Sequence, residues 1–394
     1  MQQVKSINAV LLLIILSILM AFTSLSTDIY LPAMPQMTRD LNGQAELTVT
    51  GFLIGFALAQ LLWGPISDRI GRKIPLYIGM VMFVIGSLGC AISSNIEQII
   101  FWRVFQAFGA CTAPMLARAI VRDLFDKSRA VQLMSTLMII MAIAPISGPL
   151  IGGQILKIST WHTIFYLLAA IGGVMFLSLW LLPETLPQEK RASGHFWAVF
   201  RNYKILLGNR AFMTYTLCVT FYYVGQYAFI IGSPQVYIEF FHVEPQHFGW
   251  LFGINIMGVM LMSFLNRFLT KRFSLDQLLR TTTFFISIMG LLLAFFAVTQ
   301  IGGLVSLMIC IFFYFSMVGI IAACATVAAL DRVPEMAGSG SALMGALQYG
   351  SGIISSLLLA WFADGSAWTM AWIMAISALA SAIVMRIRVK KSNS

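Results

Sequence analysis

Gly64-Pro65-Ile66-Ser67-Asp68-Arg69-Ile70-Gly71-Arg72-Lys73 stands between two long apolar stretches, near 45–65 and 74–93. Crossing a hydrocarbon layer of about 30 Å takes roughly 20 helical residues, and each stretch supplies them. The decapeptide therefore reads as a charged corner between two spanning helices. Gly64 and Gly71 are expected to allow a tight turn and close backbone approach, which glycine does at least steric cost. Asp68 is then a fixed anion among Arg69, Arg72 and Lys73.

The rest of the chain has the same character. Of its 394 residues, 59% are hydrophobic and 10% charged, whereas a soluble domain carries about 25% charged residues. A solvated surface cannot be made from that composition. A cytosolic enzyme, a secreted disulfide scaffold and a disordered regulator are excluded. Twelve apolar segments follow one another, near 8–36, 45–65, 74–93, 97–121, 132–156, 163–183, 212–235, 247–266, 278–298, 303–329, 337–362 and 367–386. Lys5 before the first suggests a signal peptide, but no small-residue cleavage site follows and the run continues to Asp28, so it reads as a span. The one long polar loop, about 184–211, splits the spans six and six. Within it His195–Arg201 has the pattern of a short amphipathic helix lying on a membrane surface. The expected organisation is an all-α integral membrane protein, with a six-helix bundle over 1–186, a linker over 187–211 and a second bundle over 212–394.

The net charge of +10 is read as topology rather than nucleic-acid binding. With the N-terminus placed in the cytoplasm, 22 of the 25 basic residues fall on that side. Arg39 and Lys157 fall outside, and Arg103 lies in a span. Lys and Arg collect on the cytoplasmic side of polytopic proteins whereas acids do not, so both termini are expected there. The halves also repeat. Gly51-Phe52-Leu53-Ile54-Gly55-Phe56 is echoed by Gly249-Trp250-Leu251-Phe252-Gly253-Ile254, and at the same offset Arg69 falls on Arg267 and Lys73 on Lys271. Two parallel halves with a site between them is a transporter architecture.

Few residues carry chemistry. The five cysteines fall in apolar runs without a CxxC pair and read as buried apolar residues. No HExxH or Walker A pattern is present, so neither metal nor nucleotide chemistry is expected. Asp28 is the only acid placed inside a span, where a charge costs about 2.5–3.5 kcal/mol. A low-dielectric site favours the neutral carboxyl, which suits proton uptake and release. The alternative is that Asp28 sits at the outer membrane surface, since Pro32 and Pro35 follow. Arg103 is either an electrostatic governor of Asp28 or a partner for backbone carbonyls and helix ends. If both charges face one cavity, dications are expected to be handled worse than flat neutral compounds. On span 7, Tyr223, Gln226 and Tyr227 share a face. That face is either a binding surface for flat, semi-polar ligands or an interfacial aromatic belt. Phe313, Tyr314, Phe315, Gln348 and Tyr349 are expected towards the same space.

The decapeptide resembles the signature loop of the Major Facilitator Superfamily. Arg103-Val104-Phe105-Gln106-Ala107-Phe108-Gly109 resembles the span-4 motif of its drug/proton antiporters. Ser147-Gly148-Pro149-Leu150-Ile151-Gly152-Gly153 resembles their span-5 motif. Ser26-Thr27-Asp28-Ile29-Tyr30-Leu31-Pro32, Ala117-Arg118 through Arg122-Asp123, Trp161–Phe165 and Pro183-Glu184-Thr185 closely resemble the Bcr/CflA branch, the bicyclomycin- and chloramphenicol-resistance exporters. The resemblance is stronger in the first half than in the second. It implies proton-driven export of small amphiphilic drugs or metabolites by a monomer without a cofactor, in a bacterial inner membrane. Uptake or export of a specific metabolite, such as a nucleoside or amino acid, runs on the same machinery. It also implies roles. Asp28 and Arg103 would couple protons, and Tyr30, Gln106, Tyr223, Gln226, Tyr227, Gln348 and Tyr349 would line the cavity. Gly64, Asp68, Arg69, Gly71, Arg72, Lys73, Arg122 and Asp123 would form a conformational latch, with Asp68 near the start of span 11. Pro145, Gly148, Pro149, Gly152 and Gly153 would form a span-5 hinge, or else a small-residue packing face.

Overall fold

Lipid offers no hydrogen bonds to the backbone, so an open-ended spanning segment must be helical. The computed structural model of the chain describes residues 9–191 and 198–386, and among these it contains helices and no strand. In chain order the helices are α1 Ala9–Asp28, α2 Met34–Asp40, α3 Glu46–Ile70, α4 Lys73–Ala91, α5 Ile96–Leu124, α6 Lys127–Ile158 and α7 Trp161–Ser178. They continue with α8 Ala198–Gly208, α9 Arg210–Pro234, α10 Pro245–Leu269, α11 Leu275–Thr299, α12 Gly303–Ser316, α13 Val318–Leu330, α14 Ala337–Trp361 and α15 Trp368–Arg386.

Helix starts follow local chemistry. Asn95, Asp126 and Asn209 each accept a hydrogen bond from a first-turn N–H of α5, α6 and α9. Ser274 and Gln277 form a reciprocal capping box on α11, and such caps satisfy donors that a helix leaves open.

Eleven of the described helical segments are long and apolar enough to cross a membrane. The twelfth expected span, α9, has the length: 25 residues rise about 37 Å. Its threonines, tyrosines and Gln226 dilute its hydropathy. Two spans are broken where one helix was expected. The first, Leu11–Asp40, breaks after Asp28, and the tenth, Gly303–Leu330, breaks at Met317. The surface helix expected from His195 begins outside the described residues. From Ala198 a helix runs to Gly208, burying Tyr203 and Leu206 and exposing Ile205 and Leu207.

The chain divides into two compact units, Met1–His195 with Pro245–Gly249, and Phe196–Glu244 with Trp250–Ser394. Within the first, α3 lies against α5, and a Cβ on Gly51 or Gly55 would strike the Ile100 or Val104 carbonyl. Within the second, α10 lies against the broken tenth span, with Gly258 on Ser316 and Gly319 on Ser263. The second span of each half thus packs on the fourth through small residues, which lets backbones approach in lipid. Exposed apolar side chains such as Val174, Leu177, Ile376 and Ile383 give both units a surface suited to lipid. The five cysteines are buried and free.

Candidate functional site

Asp28 is the last residue of α1 and is only 6% exposed. The chain then turns through Ile29 and Tyr30 into a 3-10 segment, Leu31–Ala33, before α2 begins. Pro32 and Pro35 cannot donate to a continuing helix, which is why the span breaks here. The Thr27 hydroxyl lies 2.9 Å from Asp28 Oδ1 and also faces the Thr23 and Ser24 carbonyls at 3.1 and 3.2 Å. Burial and the negative end of the α1 dipole oppose a charge on Asp28, whereas the Thr27 hydroxyl and Arg103 support one.

Arg103, on α5, is fully buried. Its guanidinium lies 4.4 Å from the ring centroids of both Tyr30 and Phe52. Nη1 donates to the Ser26 carbonyl at 3.0 Å and to Gln106 Oε1. Ser26 is in the last turn of α1, so Arg103 caps the helix end that carries Asp28, with the charge sign the dipole prefers. Among the described residues Arg103 and Asp28 form no ion pair, and Nε and Nη2 have no hydrogen-bond partner.

Two expected cavity residues prove to be part of this core. Tyr30 and Gln106 are fully buried. The Thr48 hydroxyl donates to the Ala45 carbonyl, so the Tyr30 hydroxyl is the donor to Thr48 at 3.2 Å. Gln106 accepts from Arg103 and donates to Ser87 at 2.8 Å. Both hold Arg103 rather than line open space. The expected repulsion of dications by Arg103 loses its geometric basis for the same reason, because aromatic rings enclose the charge.

The span-5 motif lies against the α1 break. A Cβ on Gly148 would stand 3.4 Å from Asp28 Cβ, and one on Gly152 would strike the Ile29 carbonyl. The glycines make room for the turn that carries Asp28. Pro145 and Pro149 lie inside α6, which stays helical through both. Trp161, at the start of α7, donates to Asp40 at 3.0 Å and ties down the far end of α2.

At the charged corner Gly71 has φ 98°, a conformation that favours glycine. Gly64 needs no such freedom, since a Cβ there would meet open space, and this differs from the expectation for that residue. Arg72 gathers the corner. Nη1 bonds Asp68 at 2.6 Å and Ser67 at 3.0 Å, and Nε bonds Asp123 at 2.9 Å. Thr185 donates to the same Asp123 oxygen. Burial works to lower the Arg72 pKa, but the hydrogen bonds to Asp123 and Asp68 outweigh it and raise the value. Lys73 lies over the Tyr77 ring, Arg69 is half-buried and Arg122 exposed.

Sequence reading had no role for Glu184. Its carboxylate accepts from the Arg72, Lys73 and Leu186 N–H groups at 2.9, 3.1 and 3.0 Å. It therefore caps α4 from the end of the sixth span, as an anion at a helix N-terminus does. Burial pushes its pKa up, but these N–H groups outweigh burial and hold it below the usual carboxylate range. A depressed value stabilises the fold above the unfolded pKa of about 4.3 and is lost as pH falls through the folded one. Glu184→Gln should therefore cost about 1 kcal/mol at neutral pH, read as a lower melting temperature, with the gap to wild type closing below about pH 4. The only sequence signal was its place in Pro183-Glu184-Thr185.

In the second unit Tyr222 and Tyr314 stack at 5.5 Å. At the break the Met317 N–H bonds the Tyr314 carbonyl at 3.3 Å, and the Tyr222 hydroxyl lies 3.0 and 3.1 Å from the Tyr314 and Phe315 carbonyls. Tyr314 and Phe315 are buried, so they are core and not lining. Tyr223 and Tyr227 on α9 stand 6.2 Å apart, and Tyr349 on α14 lies 6.4 Å from Tyr227. Gln348 and Tyr349 are half-buried.

The Major Facilitator Superfamily pattern matches residues 16–356. An uncharacterized MFS-type transporter of Bacillus subtilis, YdgK, is 37% identical over 88% of this chain and 87% of its own length. A bicyclomycin resistance protein homolog of Haemophilus influenzae is 31% identical, covering 91% and 90%. Multidrug resistance protein D of Escherichia coli is 28% identical, again covering 91% and 90%. Among solved structures, a D323A mutant of the nucleoside transporter NupG superposes with a TM-score of 0.75 at 16% identity, covering 95% of this chain and 98% of that one. The xylose transporter XylE of E. coli, partially occluded and inward open, gives 0.70 at 14% identity, covering 95% and 98%. These likenesses extend the resemblance seen in the first half over nine-tenths of the sequence, and the chain belongs to the Major Facilitator Superfamily, among relatives that include bicyclomycin- and multidrug-resistance proteins.

Proposed function

We propose that this multi-pass membrane transporter exports small amphiphilic drugs or metabolites in exchange for protons, by alternating access. The observation that carries the proposal is Asp28, an acid buried at a helix break inside a span, with Arg103 capping the same helix end. A carboxyl group so placed is expensive unless it works. Its protonation changes the charge at the end of α1, against which the span-5 glycines close. Support for the cargo class comes from the bicyclomycin- and multidrug-resistance relatives and from the aromatic surface of α9 and α14.

In this reading the protein acts as a monomer in a bacterial inner membrane, with six-helix bundles over 1–186 and 212–394. The Asp68–Arg72–Asp123 cluster governs the balance of states. The span-5 prolines serve as a hinge. Everted vesicles test the proposal: cargo should accumulate when the interior is acid, and an ionophore that collapses the pH gradient should stop it. Accumulation unaffected by the ionophore would count against antiport.

The same reading puts both termini in the cytoplasm. A cysteine at Asn42 should then react with an impermeant maleimide in intact cells, and one at Thr270 only after permeabilisation. The native cysteines are buried and should stay silent. The reverse pattern would invert the orientation.

A further inference from the structure

Most of the surface of α9 is used in packing. Tyr222 and Gly225 meet Tyr314 of α12, and Cys218 meets Ser381 of α15. Phe229 stacks on Phe252 of α10, and the Val224 carbonyl accepts from Ser355 of α14. The stripe left at helical spacing is Tyr223, Gln226, Tyr227 and Ile230. Tyr223 and Ile230 remain part-exposed, Gln226 and Tyr227 are buried between them, and Tyr349 extends the aromatic surface from α14.

Gln226 is anomalous on this stripe. It is 8% exposed, and its Oε1 is buried with no partner. Its Nε2 donates to nothing among the described residues. Gln106, the other buried glutamine among the described residues, has both ends of its amide satisfied. Buried polar groups are nearly always paired, and an exception calls for a reason.

A side-chain amide offers an acceptor and a donor side by side in one plane. The complementary group is a cis amide, whose N–H and C=O also lie side by side. Rings carrying such a group are lactams and imides, flat enough to lie on tyrosine faces. An ion would find no counter-charge on this helix, since α9 holds no charged residue after Arg210. We propose that Gln226 recognises the cis-amide edge of flat neutral lactams or imides that lie on Tyr223, Tyr227 and Tyr349. This rests on the export reading above and narrows its cargo.

The test uses 2-quinolone and N-methyl-2-quinolone, which differ in the one N–H. Binding to the purified full chain is measured by calorimetry. Wild type should prefer the N–H compound about tenfold, the discrimination expected when a buried acceptor is left unpaired. Gln226→Leu and Gln226→Met should both bring that preference to about one, chiefly by weakening the N–H compound. Tyr227→Leu should weaken both compounds alike. A wild-type preference near one, failure of both compounds to bind wild type, or an unchanged preference in the folded Gln226 variants would overturn the assignment. Proton-driven export is scored separately. A preference of one with intact export sinks the amide assignment alone, whereas a Gln226-dependent preference without proton coupling keeps it and sinks antiport.

Discussion

Asp28→Asn is expected to abolish uphill transport while the protein still folds and binds. Asparagine matches the carboxyl group in size and can still accept from Thr27, so the geometry at the α1 break survives. What it cannot do is take up and release a proton. With one-for-one exchange, a pH gradient of about one unit is worth 1.36 kcal/mol and sustains about a tenfold cargo ratio. In proteoliposomes carrying that gradient, wild type should approach that ratio and Asp28→Asn should settle near one. Asp28→Glu should retain part of the activity. Downhill exchange by Asp28→Asn separates lost coupling from lost folding. If the variant still concentrates cargo with an unchanged pH profile, another group carries the proton.

Arg103→Ala should be the most destabilising single change in the first unit. It removes the cap on the Ser26 carbonyl, the partner of Gln106 and the cation between Tyr30 and Phe52. Two buried acceptors lose a donor, a double cation–π contact disappears and a void remains. Together these come to about 3–5 kcal/mol, against a total stability that is typically 5–15 kcal/mol. Arg103→Lys keeps the charge, but a single ammonium cannot reproduce a planar fork stacked between two rings, so it should fall in between. Melting temperatures in detergent check the order wild type, Lys, Ala. An Arg103→Ala protein as stable as wild type would mean that the observed contacts carry no net weight.

The spans were legible because lipid imposes one simple requirement, an apolar helix of fixed length. α9 is the instructive exception, since the polar and aromatic residues that interrupt its hydropathy are those that make it a candidate binding surface. The break after Asp28 had a signal in Pro32 and Pro35. The break at Met317 had none of that kind, because it is stabilised from another helix by the Tyr222 hydroxyl. Asp28 stood out because a lone acid in an apolar run is costly. Its surroundings did not, and Tyr30 and Gln106 were placed in a cavity although they serve Arg103. Helical spacing says which residues share a face and not whether that face meets a ligand or a neighbouring helix. Glu184 escaped for a related reason: two of its partners, the Arg72 and Lys73 N–H groups, lie more than a hundred residues earlier in the chain.

The central claim is that Asp28 carries the proton that cargo displaces. It is tested most directly by adding cargo to purified protein in weakly buffered detergent solution and following pH. Wild type should release protons in proportion to bound cargo, with the amount falling as the starting pH is raised, and Asp28→Asn should bind cargo and release none. Equal proton release from the two proteins would contradict the account.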